Sequence, residues 1–335
     1  MKLPRCREGR NRLLSRSGGM VRVQRNTSDK QGDAMQFDEM TAKMRDGRGF
    51  IAALDQSGGS TPKALKGYGI EADRYSGDEE MFALIHQMRT RIITSPAFTG
   101  DKVIGAILFE RTMDGYADGE TIPSVLHARG VVPFIKIDKG LEAEADGVQL
   151  MKPMPELGSL LDRARGLGVF GTKERSVVNL ANEAGIRAIV AQQIEVGQQV
   201  LAHGLVPILE PEVNIKSAER GAADVLLRDA LIAALDAMPG DEQVMLKLSL
   251  PETPDLHRPL VEHPRVLRVV ALSGGYSRAD ACVELAKNHG IIASFSRALL
   301  EDLRDGMTDA AFDAALGAAI DEIYAASTQK SAVAA

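Results

Sequence analysis

From residue 49 onward, short apolar runs alternate with longer segments of helical periodicity. Residues 49–55, 103–109, 131–138, 168–175, 205–212, 243–250, 266–275 and 291–297 read as strands. Between them, residues 79–92, 181–204 and 224–238 repeat apolar side chains at helical spacing. Eight strands alternating with helices over about 280 residues is the pattern of an α/β chain folded as a single-domain (β/α)8 TIM barrel. An open, doubly wound sheet is the alternative. No GxGxxG follows the first run and no Walker A motif is present, so neither nucleotide fingerprint supports it.

The run "DEQVMLKLSLPE" (241–252) carries a lysine inside a strand pattern. Val244, Leu246, Leu248 and Leu250 share one face, and Met245, Lys247 and Ser249 share the other. On an edge strand such a lysine would be solvated. In a closed barrel one face points to the helices and the other into the barrel, and there is no edge. The same parity recurs elsewhere: Lys136 with Asp138, Lys173 with Arg175, Glu210 with Glu212, and Asp55 at the end of the first run. These charges fall near C-terminal strand ends, where barrel enzymes build their sites. They read either as ion pairs closing the barrel mouth or as a catalytic set. In the second reading Lys247 is a nucleophile. A free lysine has a pKa near ~10.4, so only about one in 10³ is neutral at pH 7. Desolvation and a neighbouring cation such as Lys173 or Lys136 are expected to lower it.

Two loops suggest phosphate binding. "LSGGYS" (272–277) follows the seventh run and "SFSR" (294–297) ends the eighth. Ser273, Gly274, Gly275 and Ser296 offer donors there, and Arg297 offers a guanidinium fork. "DQSGGSTPK" (55–63) after the first run either holds a second phosphate, with Ser57, Ser60 and Lys63, or caps the following helix.

Composition narrows the class. The chain has 335 residues, 44% hydrophobic and 26% charged, with no apolar stretch long enough for a transmembrane helix. A net charge of −6 argues against general nucleic-acid binding. Two cysteines, Cys6 and Cys282, form no framework, which fits a reducing, cytoplasmic setting. Residues 1–34 hold nine Lys/Arg against three acids, whereas the remainder holds 31 against 43. This segment reads as a disordered leader or as sequence upstream of a start at Met20 or Met35; its Arg and Ser content also fits a transit peptide. The barrel domain is expected over 35–328, with a mobile tail over 329–335.

The motifs "AALDQSGGSTPKAL", "FIKIDKG", "FGTKER", "VPILEPEVNI", "MLKLSLP", "VVALSGGYS" and "ASFSRAL" together resemble class I fructose-bisphosphate aldolase, bacterial form, over about residues 36–328. The resemblance implies reversible cleavage of fructose 1,6-bisphosphate to dihydroxyacetone phosphate and glyceraldehyde 3-phosphate, with no metal and no cofactor. It implies Lys247 as the Schiff-base lysine and Glu210 as the acid/base, with Glu212 and Lys173 as its close partners. Asp55 is then the carboxylate at the reacting carbons, and Lys136 supports the electrostatic network. Ser273, Gly274 and Arg297 hold the ketose 1-phosphate, with Gly275 and Ser296 beside them. Ser57, Ser60 and Arg175 lie toward the other end of the substrate. Two features depart from the animal members: "SFSR" replaces Ser-Tyr-Gly-Arg, and the chain ends in alanine rather than tyrosine, its last tyrosine being Tyr324.

Three rivals are separable. A metal-dependent aldolase needs clustered histidines, whereas His86, His127, His203, His257, His263 and His289 mostly fall in helical or loop patterns. Another imine-forming barrel, such as a transaldolase, would differ in substrate. A non-catalytic sugar-phosphate-binding barrel would lack the lysine or the acid. The expected partners are small sugar phosphates, with neither nucleic acid nor membrane; assembly into a homo-oligomer is left open.

Overall fold

The computed structural model describes residues 27–332, with side chains described from residue 36. The chain divides into two compact units, Met1–Asp38 and Glu39–Ala335. In the first, the described residues belong to helix α1 (Thr27–Asp46), which begins eight residues before Met35. The rest of the expected leader lies outside the described residues.

The second unit contains eight parallel strands: β1 (Phe50–Leu54), β2 (Val103–Leu108), β3 (Val132–Lys136), β4 (Gly171–Val178), β5 (Val206–Val213), β6 (Val244–Ser249), β7 (Val266–Leu272) and β8 (Ile292–Phe295). Each pairs with the next in sequence, and β8 pairs with β1, so the sheet closes on itself as a (β/α)8 barrel. Among the helices between strands are α2 (Ser60–Tyr68), α3 (Gly77–Thr94), α4 (Glu183–Ala202), α5 (Arg220–Ala237) and α6 (Arg278–Ala286); α7 (Asp309–Thr328) follows β8.

The alternation read from the sequence sorts the strand residues into two layers. Phe50, Ala52, Leu54, Ile135, Leu209, Leu246 and Leu248 join the buried layer between sheet and helices. Ile51, Ala53, Ile107, Phe134, Ile208, Met245, Val270 and Ile292 have the other parity, are equally buried, and fill the barrel beneath its C-terminal mouth. Phe134 is the largest of these. Room for its ring exists because β4 carries Gly171 opposite it and β2 carries Gly105 near it, where an added Cβ would stand 3.0 and 3.3 Å from the ring. At the mouth the same parity changes from apolar to charged.

Three local features differ from the periodicity. The fourth strand starts later and runs further than 168–175, because Val177 and Val178 pair with Glu212 and Val213 on one side and with Gln149 and Val148 on the other. A small hairpin joins Tyr116–Ala117 to Glu120–Thr121 through Asp118 and Gly119, which supply the two positive φ values that a two-residue turn needs. The tail expected to be mobile from residue 329 is tied down as far as Ser331. Lys330 Nζ donates to the carbonyls of Leu285, Ile291 and Ala326, and the Ser331 amide donates to Ala286.

Candidate active site

The strand ends of β1, β4, β5 and β6 bring four charges together. Lys173 Nζ lies 2.6 Å from Asp55 Oδ2 and 2.9 Å from Glu210 Oε2, and Lys247 Nζ lies 3.0 Å from Glu210 Oε1. Glu210 thus sits between two ammonium groups. Lys173, Glu210 and Lys247 are only 3–4% exposed. Register explains the meeting. Lys173 pairs with Ile208, so Glu210 stands one inward step above it, and the parallel β5–β6 pairing of Ile208 with Met245 sets Lys247 at the same height as Glu210.

Burial raises the Asp55 pKa, but Lys173, Lys247 and Lys136 more than reverse this and hold the carboxyl below the usual range. Burial likewise raises Glu210, and Lys173 with Lys247 reverses it, so Glu210 is a carboxylate at neutral pH. Burial lowers Lys173, but Asp55, Glu210 and Asp138 outweigh that and raise it, so it keeps its proton. Lys173 acts on Glu210 chiefly through its charge, with a hydrogen bond to the carboxylate as a smaller contribution.

A second tier flanks this cluster. Lys136 Nζ donates to Asp138 Oδ1 at 2.6 Å and to its carbonyl at 2.7 Å. Burial, ahead of the opposing Asp138 charge, lowers the Lys136 pKa. Arg175 donates its Nε to Glu212, and both side chains are half-buried. Glu212 therefore pairs with Arg175, not with the Lys173–Glu210 pair.

The loops after β7 and β8 form a cradle. Gly274 has φ +58° and Gly275 φ +114°, values that L side chains rarely adopt, and a Cβ on Gly274 would also stand 2.8 Å from Ile215. Arg297 reaches over Gly275, its Nη2 3.6 Å from where a Cβ would be. Ser273 is buried beside it, Ser296 is half-buried and Arg297 is exposed. In the first loop, Ser60 Oγ donates to the Ser57 carbonyl at 2.8 Å and accepts from the Ser57 amide at 2.9 Å, a local turn at the start of α2. Lys63 is exposed on that helix.

Asp138, read from the sequence only as sharing the inward face with Lys136, accepts from Lys136 and from the amides of Gly140 and Arg175. Sequence reasoning missed two residues. Gln56 and Arg89 lie behind the first loop. Arg89 falls on the apolar face of α3 beside Ile85, Met88 and Ile92, and a cation at that helical position was a legible sign.

Comparisons with known proteins bear on the family. A family model described as fructose-bisphosphate aldolase class-I matches residues 38–248, ending just past Lys247. Fructose-bisphosphate aldolase class 1 of Porphyromonas gingivalis is 58% identical over 290 residues, 86% of this chain and 98% of that one. The Synechocystis protein of the same name is 57% identical over 290 residues, 86% and 97% of the two chains. The structure of fructose-bisphosphate aldolase from Plasmodium falciparum superposes with a TM-score of 0.74 at 19% identity, covering 90% of this chain and 96% of that one, a likeness of fold. The chain belongs to the class I fructose-bisphosphate aldolase family. No helix among the described residues is long and apolar enough to cross a membrane.

Proposed function

We propose that the protein cleaves fructose 1,6-bisphosphate reversibly to dihydroxyacetone phosphate and glyceraldehyde 3-phosphate, without a metal, through a Schiff base on Lys247. One observation carries the residue assignment: Lys247 Nζ lies 3.0 Å from the carboxylate of Glu210, which a second ammonium keeps ionised. An amine must lose a proton before it attacks a carbonyl, and Glu210 Oε1 is the acceptor at hand.

Lys247 then adds to the ketose C2. Glu210 returns the proton to the carbinolamine hydroxyl, which leaves as water, and a protonated imine remains. Glu210, a carboxylate again once water has left, takes the proton of the C4 hydroxyl; the C3–C4 bond breaks, and its electron pair moves through C3 and C2 to the imine nitrogen as an enamine. The aldehyde leaves. Protonation at C3 and addition of water to C2 release dihydroxyacetone phosphate and regenerate Lys247. Asp55 and Glu210 flank the proton transfers, and Lys173 holds both as carboxylates between them. The Ser273–Gly275 loop, Ser296 and Arg297 hold the 1-phosphate; Ser57, Ser60 and Arg175 lie toward the 6-phosphate. Binding energy from the phosphates orients C2 toward Lys247. The substrate class is sugar phosphates, and a cytoplasmic setting goes with it.

Borohydride reduction in the presence of dihydroxyacetone phosphate tests the assignment. One covalent adduct per chain, mapped to Lys247 by peptide mass spectrometry, is expected. A label on Lys173 or Lys136, or no label, refutes it.

A further inference from the structure

Behind the first loop lies a fully buried arginine without a carboxylate partner among the described residues. Arg89, on α3, is 0% exposed. Its Nη1 donates to Thr112 Oγ1 at 2.8 Å, and its Nη2 donates to the Gln56 carbonyl and, at 3.2 Å, to Gln56 Oε1. Burial lowers its pKa to about 10, with Asp55 opposing, so it is a cation at neutral pH. Gln56 is buried too, and its Nε2 donates to Ser296 Oγ at 2.7 Å and more loosely to the Ala53 carbonyl at 3.4 Å.

The direction of this chain is set by chemistry. A guanidinium has donors only, so the amide oxygen of Gln56 must face Arg89. A backbone carbonyl accepts only, so the amide nitrogen must face Ala53 and therefore Ser296. Ser296 Oγ consequently accepts from Gln56. Its own hydrogen, which has no acceptor among the described residues, is left to donate outward beside Arg297. Keeping an arginine buried without an ion pair is costly; its three bonds secure the loops after β1 and β2 and, through Gln56, the end of β8.

We propose that Arg89 and Gln56 form a hydrogen-bond relay that fixes the Ser296 hydroxyl as a donor to the 1-phosphate of the ketose, which makes both positioning residues for that phosphate. The relay rests on the reading of the Gly274–Arg297 cradle as the 1-phosphate site. It explains how a neutral glutamine, out of reach of solvent, bears on anion recognition: reversing its amide polarity would turn the Ser296 hydrogen inward.

Gln56→Glu makes that reversal. The new carboxylate accepts from Arg89 and from Ser296, so Ser296 no longer donates to phosphate. The expected result is a KM for fructose 1,6-bisphosphate raised about 10–150-fold, the worth of one hydrogen bond to a charged group, while kcat/KM on fructose 6-phosphate changes less than about threefold on the same scale. Ser296→Ala should show the same selective loss, and the double variant should lose no more than Ser296→Ala alone. Multiplying losses in the double variant would indicate simple charge repulsion and overturn the relay. Equal losses on both substrates, or wild-type behaviour of Gln56→Glu, would overturn it too. Gln56→Met combined with Ser296→Ala gives a second cycle without added charge, should the carboxylate impair folding; losses that fail to overlap there also refute the relay. Arg297→Ala separates the premises. A selective loss there with an unaffected Gln56→Glu removes only the relay, whereas equal losses of Arg297→Ala on both substrates remove the cradle reading and the relay with it.

Discussion

Lys173→Met removes one ammonium from the buried cluster while keeping most of the side chain's volume. Lys173 is the only ion-pair partner of Asp55 among the described residues, at 2.6 Å, whereas Glu210 retains Lys247 at 3.0 Å. Taking one member from a buried ion cluster costs about 3–5 kcal/mol, because the remaining charges stay desolvated without compensation. At pH 8 the variant should therefore unfold at a midpoint lower by roughly 10 °C. The pH dependence identifies the cause. In the wild type, Asp55 and Glu210 titrate below their unfolded values. Their contribution is full above the unfolded values near ~4 and is lost as pH falls through the folded ones. Without Lys173, burial has less opposing it and the Asp55 carboxyl moves upward, so the variant loses stability as pH rises from about 4. The gap between the two proteins should be wide at pH 8 and narrow toward pH 4.5. Thermal and urea unfolding at both values measures it. Equal destabilisation at both would mean that Lys173 acts through packing, and the electrostatic account of the cluster would fall.

Three further outcomes are expected. Glu210→Gln should lower kcat by about 10²–10⁴-fold, the range for a general acid–base group, and slow imine formation in single-turnover trapping; an unchanged kcat would move the role to Glu212 or Asp55. Treatment with EDTA should leave the cleavage rate unchanged, because an imine takes up the developing negative charge; a loss restored by zinc would refute this. Asp224 is fully buried and burial raises its pKa to about 6, against a backbone hydrogen bond from Glu252. The folded chain then holds a proton between about pH 4 and 6 that the unfolded chain releases, so stability falls as pH rises through that window, by about 2–3 kcal/mol in all. Asp224→Asn should raise the unfolding midpoint at pH 8 and leave it unchanged at pH 4; the opposite order would refute the assignment.

The sequence by itself determined the layers. Alternation in "VMLKLS" and "VPILEPEV" states which side chains share a face, because strand periodicity is a property of the local backbone. Gly274 and Gly275 were legible as donors in a loop after the seventh strand, whereas their positive φ angles, which glycine adopts freely, appear only in the structure. Partners were another matter. That Glu210 sits between Lys173 and Lys247, while Glu212 pairs with Arg175, depends on the register of β4, β5 and β6, which hydrophobic pattern does not specify. Arg89, spaced like a core residue of α3, acquires meaning only when α3 packs behind the first loop and meets Gln56. Lys330 reads as a solvated tail residue until three carbonyls from separate elements converge on it. Periodicity reports the environment that a side chain requires, but barrel closure decides which distant groups supply it, because ion pairs and hydrogen bonds act over a few ångströms between residues that the chain itself keeps far apart.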